Sequence, residues 1–330
     1  VAVEARAEQG SPGLGQAAEI VKAVQQIPAL RDVRCRVVSS TARRNCSIVR
    51  CSTDRSSHGD LIIKVVAESI GPTILAAYEG LERYQRVFAA AGMETIRAAR
   101  PVGCLTTPPA LVMEYESGSD LHDLLRSCAT QNVSSLRTPM ELCGTALGLI
   151  HRSSPADPDQ ASAALAPLAR RLVLSKRWIR RSLGLVEPVM SAEDFAPNNI
   201  RTAADGIVVL DPPLRAQDTS AHSDIAHFLG QVGHHFGRSG GRATWRNRES
   251  ALRELTDEFL RGYAEAGPFD PRGTEHRRLI AVFAADRALV WSIKYARRGE
   301  LAESWKFARR ACRGRVRIAR NRSGQLERIV

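Results

Sequence analysis

Extended and helical segments are sorted along this chain rather than interleaved. After a loose start, "AAEIVKAVQQI" has the spacing of a short amphipathic helix. "DVRCRVVSS", "NCSIVRC" and "DLIIKVVA" follow as β-rich stretches separated by polar turns. "TILAAYEGLERYQRVFAAAG" repeats its apolar residues at helical intervals, and "IRAARPVGCL" and "PALVMEYE" read as further strands. Beyond "ESGSD" helices take over. "DLHDLLRSCA" has Asp120 or Ser119 as its cap. "TPMELCGTALGLIHRSS" has Thr138 at the N-cap, Pro139 at the first helical position and Glu141 three residues after the cap. The exception is "NNIRTAADGIVVLD", a β-hairpin turning at Asp205-Gly206. This sorting predicts an α+β fold of two lobes rather than a doubly wound βαβ sheet. The β-rich N-lobe covers residues 1–116, the helical C-lobe 117–330, and the hinge lies over Glu114 to Gly118.

No apolar run approaches the roughly 18 residues of a membrane span. The polar start lacks the basic and apolar regions of a signal peptide. Seven scattered cysteines, an odd count with no CxxC, read as small core residues of a reducing compartment. A cytoplasmic location is the expectation. The net charge of +12 is concentrated late: His276 to Arg322 holds fourteen Lys and Arg against three acids. That region favours anionic partners such as phosphates, nucleic acid or an anionic membrane surface. No nucleic-acid motif accompanies it, which argues against nucleic acid. His222, His227, His234 and His235 fit no zinc spacing and read as helix-surface and loop residues. Trp178, Trp245, Trp291 and Trp305 read as packing residues, with Trp291 and Tyr295 four apart on one buried helical stripe.

Three places carry chemistry. Lys64 lies inside the apolar run "LIIKVV", where burial calls for a negative partner. Glu79 on the following helix is the first choice and Glu82 its rival. Asp194 opens "DFAPNN" and can accept a proton from a hydroxyl. Asn199, five residues on, and Asp211, after the strand "IVVL", can offer oxygens to one hard cation; magnesium prefers such a set together with substrate phosphates.

In this order the motifs resemble the aminoglycoside phosphotransferase family, whose fold is similar to that of the protein kinases. "DFAPNN" resembles the catalytic loop, "VVLDPP" the metal-binding strand end, "LIIKVV" the third-strand lysine and "ALVMEYESGSDL" the hinge. "ALGLIHRSS" resembles the helix before the catalytic loop, and "HSDIAHFL" a later helix start whose Asp224 supports that loop. The match runs from about Val33 to Leu229. The resemblance implies a two-lobed kinase-like small-molecule phosphotransferase using ATP or GTP and Mg²⁺. Lys64, held by Glu79, would pair with the α- and β-phosphates. Ser39, Ser40 and Thr41 would donate hydroxyls to phosphate, with Arg43 or Arg44 offsetting its charge. Glu114, Tyr115 and Glu116 would bind adenine through their backbone. Asn199 and Asp211 would hold the metal, and Asp194 would deprotonate the acceptor hydroxyl. Aminoglycosides, other antibiotics, sugars and amino alcohols are the acceptor classes implied. The basic C-terminal third fits a neutral sugar, a glycan or a lipid-linked acceptor at a membrane surface better than a polycation.

The sequence departs from the family in three places, one of which is the Pro212-Pro213 pair that follows Asp211 and stiffens the chain there. Ala192-Glu193 stands where the family has His-Gly, and the phosphate loop "SSTARRNCS" has no glycine. A second reading rests on these departures: a kinase-like protein that binds nucleotide or a partner without turnover.

Overall fold

The computed structural model describes residues 14–42, 46–54, 59–67, 73–128, 133–156, 160–172, 182–190, 192, 195–212, 218–236, 245–305 and 307–309. Arg43, Arg44, Trp178, Glu193, Asp194 and Cys312 lie outside the described residues. The chain is α+β and divides into two compact units. One contains Val1–Gly118 together with Val208–Arg215, the other Ser119–Ile207 and Ala216–Val330. The sequence reading assigned all of 117–330 to one lobe. The return of Val208–Arg215 to the first unit brings Asp211 to the sheet that carries Lys64.

The first unit begins with α1 (Leu14–Val24) and continues through β1 (Cys35–Ala42), β2 (Cys46–Thr53) and β3 (Leu61–Val66). Then come α2 (Ile74–Ala90), β4 (Ile96–Ala98), β5 (Pro101–Thr106) and β6 (Pro109–Glu114). The strands form an antiparallel five-stranded sheet in the order β1-β2-β3-β6-β5. Ile20, Val24, Ile27 and Leu30 pack with Val49, Leu61, Ile63 and Val112 into one core. Successive strand residues point to opposite faces. Leu61 and Ile63 face this core, so Lys64 points to the other face of β3. Helix α2 buries Ile74, Ala77, Leu81, Tyr84 and Phe88 along one stripe.

"IRAARPVGCL", expected as one strand, is two. Ala99 donates its N–H to Val209 O at 2.8 Å, and the chain then enters the five-stranded sheet at Pro101. Proline has no N–H to continue a ladder, which favours the break there.

The second unit contains β7 (Ser119–Asp120), α3 (Leu121–Ser127), α4 (Ser134–Arg152), α5 (Gln160–Leu172), β8 (Pro188–Met190) and β9 (Ile200–Ala203). After β9 the chain turns at Ala204-Asp205 into β10 (Gly206–Val209), where Gly206 takes φ of 149°, a value side chains disfavour. Next come β11 (Asp218–Ser220), α6 (Ala221–His235), α7 (Trp245–Ala266) and α8 (Thr274–Arg297).

Two helix starts differ from expectation. Asp120 occupies the N-cap position of α3 but makes no cap bond; its carboxylate instead takes Arg201 at 2.8 Å. Helix α4 begins at Ser134, not after Thr138, because burying Leu136 to 1% exposure draws an extra turn onto the helix ahead of Pro139.

Helices α4 and α7 touch backbone to backbone. A Cβ on Gly144 would lie 1.9 Å from Phe259 O, and one on Gly262 would lie 2.1 Å from Glu141 O. These contacts leave no room for any side chain, so the paired glycines set the separation of the two helices. Gly262→Ala is therefore expected to destabilise the protein by about 1–3 kcal/mol or more. Urea denaturation should show a lowered midpoint with little change in slope.

Candidate active site

In the first unit, Lys64 Nζ donates to Asp211 Oδ2, with the two side chains 14% and 19% exposed. The other carboxylate oxygen, Asp211 Oδ1, is buried and has no hydrogen-bond partner among the described residues. An orphaned carboxylate oxygen beside an ammonium fits a hard divalent cation that brings phosphates with it. Pro212 fixes this segment against α2. A Cβ on Gly80 would meet the Pro212 ring at 2.9 Å, so the proline occupies a notch that only glycine leaves open.

The lysine's partner is thus Asp211, where the sequence reading expected Glu79 with Glu82 as rival. Glu79 is exposed and makes no ion pair with Lys64 among the described residues. It lies about 200° round α2 from both Ala77 and Leu81, on the side away from the buried stripe. Glu82 is half-buried and hydrogen-bonds Tyr78, whose phenol is raised first by burial and then by that carboxylate.

Ser39, Ser40 and Thr41 sit within β1, opposite Arg50, Val49 and Ile48 of β2. They are ladder residues rather than a free-standing phosphate loop, so their hydroxyls, not a flexible backbone, are what they offer. At the hinge, Tyr115 gives its N–H to Asp60 O at 2.6 Å, and Glu114 gives its own to Arg100 O at 2.9 Å. The Arg50 guanidinium lies 3.7 Å from the Tyr115 ring centroid and pairs with Asp60 at 2.6 Å. Glu116 is half-buried.

In the second unit, a polar chain secures Ala192, the residue that precedes the Glu193-Asp194 pair, of which Asp194 is the sequence-predicted catalytic residue. Asp224 is 2% exposed, and its Oδ2 accepts from the Ala192 N–H at 2.7 Å and from His151 Nε2 at 3.2 Å. His151 Nδ1 then faces the Tyr263 hydroxyl at 2.9 Å. With Asp224 an acceptor, the network assigns His151 the Nε2–H tautomer, and Tyr263 donates. Burial first, and the Asp224 carboxylate second, push the Tyr263 phenol well above its ordinary range, so it keeps its proton. On the far side of the pair, Phe195 gives its N–H to Ala192 O at 2.7 Å and packs its ring on Phe228. Ala192, where the family has His, is therefore held by its backbone. Pro197–Asn199 forms a 3-10 turn, and the Asn199 amide oxygen accepts from Asn198 Nδ2 at 2.9 Å.

His151 carried a hint in "ALGLIHRSS". Tyr263 carried none, because its partner lies 112 residues away.

The histidines depart from a surface role. His222 is fully buried, bonds Ser220 Oγ at 3.2 Å and His276 Nδ1 at 2.9 Å, and stacks on Phe269. His227, His234 and His235 are half-buried against aromatic rings, including Trp291 and Phe307. No cluster of three metal-binding side chains occurs among the described residues. Trp291 and Tyr295 both pack on Phe307, as the stripe predicts, but Trp305 is 65% exposed rather than a packing residue. Cys51 and Cys143 are buried free thiols, and burial pushes Cys51 up to about 12.

No family model and no curated protein matches the sequence. Solved structures do match. The choline kinase LicA from Streptococcus pneumoniae aligns over 92% of this chain and 99% of its own, at 14% identity and a TM-score of 0.50. A glucosamine kinase in complex with glucosamine, ADP and inorganic phosphate aligns over 89% and 84%, at 17% identity and 0.54. The GDP complex of aminoglycoside 2'-phosphotransferase-IIIa aligns over 91% and 98%, at 10% identity and 0.51. The fold is that of the protein-kinase-like small-molecule kinases.

Within this kinase-like fold the His222–His276 pair makes stability depend on pH. Burial first, then His276 and His151, hold His222 well below its ordinary value of 6.5. Burial also lowers His276, against the opposing pull of Asp270 and Glu275. The unfolded chain takes up these protons near pH 6.5 while the folded chain resists them. Stability is thus fully present above that value and is lost as pH falls below it. The melting temperature should drop as pH is lowered through about 6.5, and His222→Phe, which keeps the stack on Phe269, should flatten that slope.

Proposed function

We propose that this protein transfers the γ-phosphoryl group of ATP or GTP to a hydroxyl of a small molecule, with magnesium as cofactor. The observation that carries the reading is Asp211, which gives one oxygen to Lys64 and keeps the other buried and unpartnered. That is a poor arrangement for stability alone and a suitable one for a cation with phosphates.

In this reading Lys64 binds the phosphates. Asp211 and Asn199 would hold magnesium, which when bound would neutralise phosphate charge. The Glu114 carbonyl and the Glu116 backbone read the adenine edge, since the Glu114 and Tyr115 N–H groups are already committed to Arg100 and Asp60. Asp194 accepts the proton of the acceptor hydroxyl as its oxygen attacks the γ-phosphorus and the bond to the β–γ bridging oxygen breaks, releasing the nucleoside diphosphate. Asp224 supports that step at one remove, by holding the Ala192 backbone two residues before Asp194. The neighbours named for choline, glucosamine and aminoglycoside favour a hydroxyl-bearing amine as acceptor, with a simple sugar next.

A second reading is a kinase-like binder without turnover, favoured by Ala192 at the start of the loop and by the glycine-free stretch around β1.

The test is magnesium-dependent nucleotide consumption across amino alcohols, amino sugars, aminoglycosides, cyclic-peptide antibiotics and simple sugars. Acceptor-dependent turnover is expected, reduced at least about 100-fold in Asp194→Ala. Lys64→Met and Asp211→Asn should each weaken nucleotide binding measured by calorimetry. Binding without turnover on any acceptor would favour the second reading, and failure to bind Mg·nucleotide at all would sink both.

A further inference from the structure

The C-terminal end of the second unit carries a feature that phosphoryl transfer does not use. Helix α8 ends at Arg297, and the chain reverses at Gly299, which takes φ of 75°. Residues 301–305 and 307–309 are again helical and fold back along α8. Ser304 Oγ meets Ser292 Oγ at 3.3 Å, and Phe307 packs on Trp291 and stacks on Tyr295. The inner side of this helical hairpin is thus satisfied by Ser304 and Phe307.

Its outer side is apolar as well. Leu301 is 71% exposed and Trp305 65%, one helical turn apart on the same face. Ile293 is 44% exposed on the side of α8 turned about 200° from Trp291 and Tyr295, away from Phe307. These are three of the five large hydrophobic side chains that are most exposed among the described residues. The same hairpin carries exposed Lys294, Arg297, Arg298 and Arg309, against exposed Glu300. Seven more arginines and a single glutamate follow in residues 310–330. A tryptophan and a leucine projecting from a strongly basic helical hairpin have the composition of an interfacial anchor. The apolar tips enter the headgroup region while the cations meet lipid phosphates. Nucleic acid would use the charge and could stack on Trp305, but it has no use for exposed Leu301 and Ile293.

We infer that this hairpin docks the protein on an anionic lipid bilayer, with Leu301 and Trp305 inserted and Lys294, Arg297 and Arg298 paired to lipid phosphates. The inference stands apart from the proposed catalysis, because neither Lys64 nor Asp211 takes part in it.

The test is co-sedimentation of the full chain with vesicles of phosphatidylcholine alone and of phosphatidylcholine mixed with phosphatidylglycerol. Binding to the anionic vesicles only, weakened by salt, is expected. Replacing all three of Lys294, Arg297 and Arg298 by Gln should lower partitioning about 100-fold. The double variant Leu301→Ser/Trp305→Ser should lower it at least about tenfold. All five positions are on the surface, and circular dichroism checks that the variants fold. Asp211→Asn should bind vesicles like the wild type, which separates this outcome from the fate of the kinase reading. The inference is overturned if anionic vesicles do not bind, or if both variants bind like the wild type. It is also overturned if the serine variant changes only the oligomeric mass, or if a polynucleotide outcompetes the vesicles.

Discussion

Asp224 is a carboxylate 2% exposed in the first turn of α6, and its hydrogen bonds organise much of the second unit. Burying an ion is costly unless hydrogen bonds replace its water. Here the Ala192 N–H and His151 supply them to Oδ2, and the helix N-terminus adds its partial positive charge, while Oδ1 is buried with no hydrogen-bond partner among the described residues. His151 reaches that position because Tyr263 holds its other nitrogen, and Tyr263 reaches His151 because Gly144 and Gly262 let α4 and α7 touch. The same α7 carries Phe259, one turn before Tyr263, which stacks on Phe228 beneath Phe195. One helix therefore supports both Ala192 and Phe195, through a polar chain to the first and an aromatic one to the second.

The first unit follows a similar logic with opposite charge. Lys64 lies on the sheet face away from the α1 core and needs an anion there. It takes one from a segment 147 residues downstream. Pro212 fits the notch at Gly80 and keeps that segment from sliding along α2. Pro212, directly after Asp211, thus acts as a stop. It stiffens the chain where the Asp211 carboxylate turns one oxygen toward Lys64.

The sequence made the succession of strands and helices along the chain and the α2 stripe legible, because local periodicity determines them, and it placed the hairpin turn at Asp205-Gly206, one residue later than the Ala204-Asp205 turn of the structure. Lys64, Asn199 and Asp211 read as motifs, and of these the structure pairs Lys64 with Asp211. The sequence did not reveal Asp211 as the lysine's partner, since helical proximity pointed to Glu79 and only the packed position of α2 shows that residue facing out. The early start of α4 was hidden because Pro139 looks like a first-turn proline, and the burial of Leu136 overrides that signal. His222 and Tyr263 were hidden because partners more than fifty residues away determine their burial. Trp305 misled in the other direction: aromatic residues are usually buried, and only the back-packing of Phe307 and Ser304 places Trp305 on the outside.

The discontinuity of the first unit also affects how the protein is made. Its sheet is encoded by Gly118, but Val208–Arg215 arrives about 90 residues later, on the order of ten seconds of synthesis behind. Throughout that interval Lys64 has no Asp211, and β4 has no Val209 carbonyl to receive the Ala99 amide. The growing chain thus carries a sheet with one charge uncompensated and, outside that sheet, a strand, β4, without its partner, which is the state in which strand edges recruit wrong partners. The amino-terminal unit cannot be completed on the ribosome in the order in which it is written. It waits for the other unit to be more than a third translated before it can close.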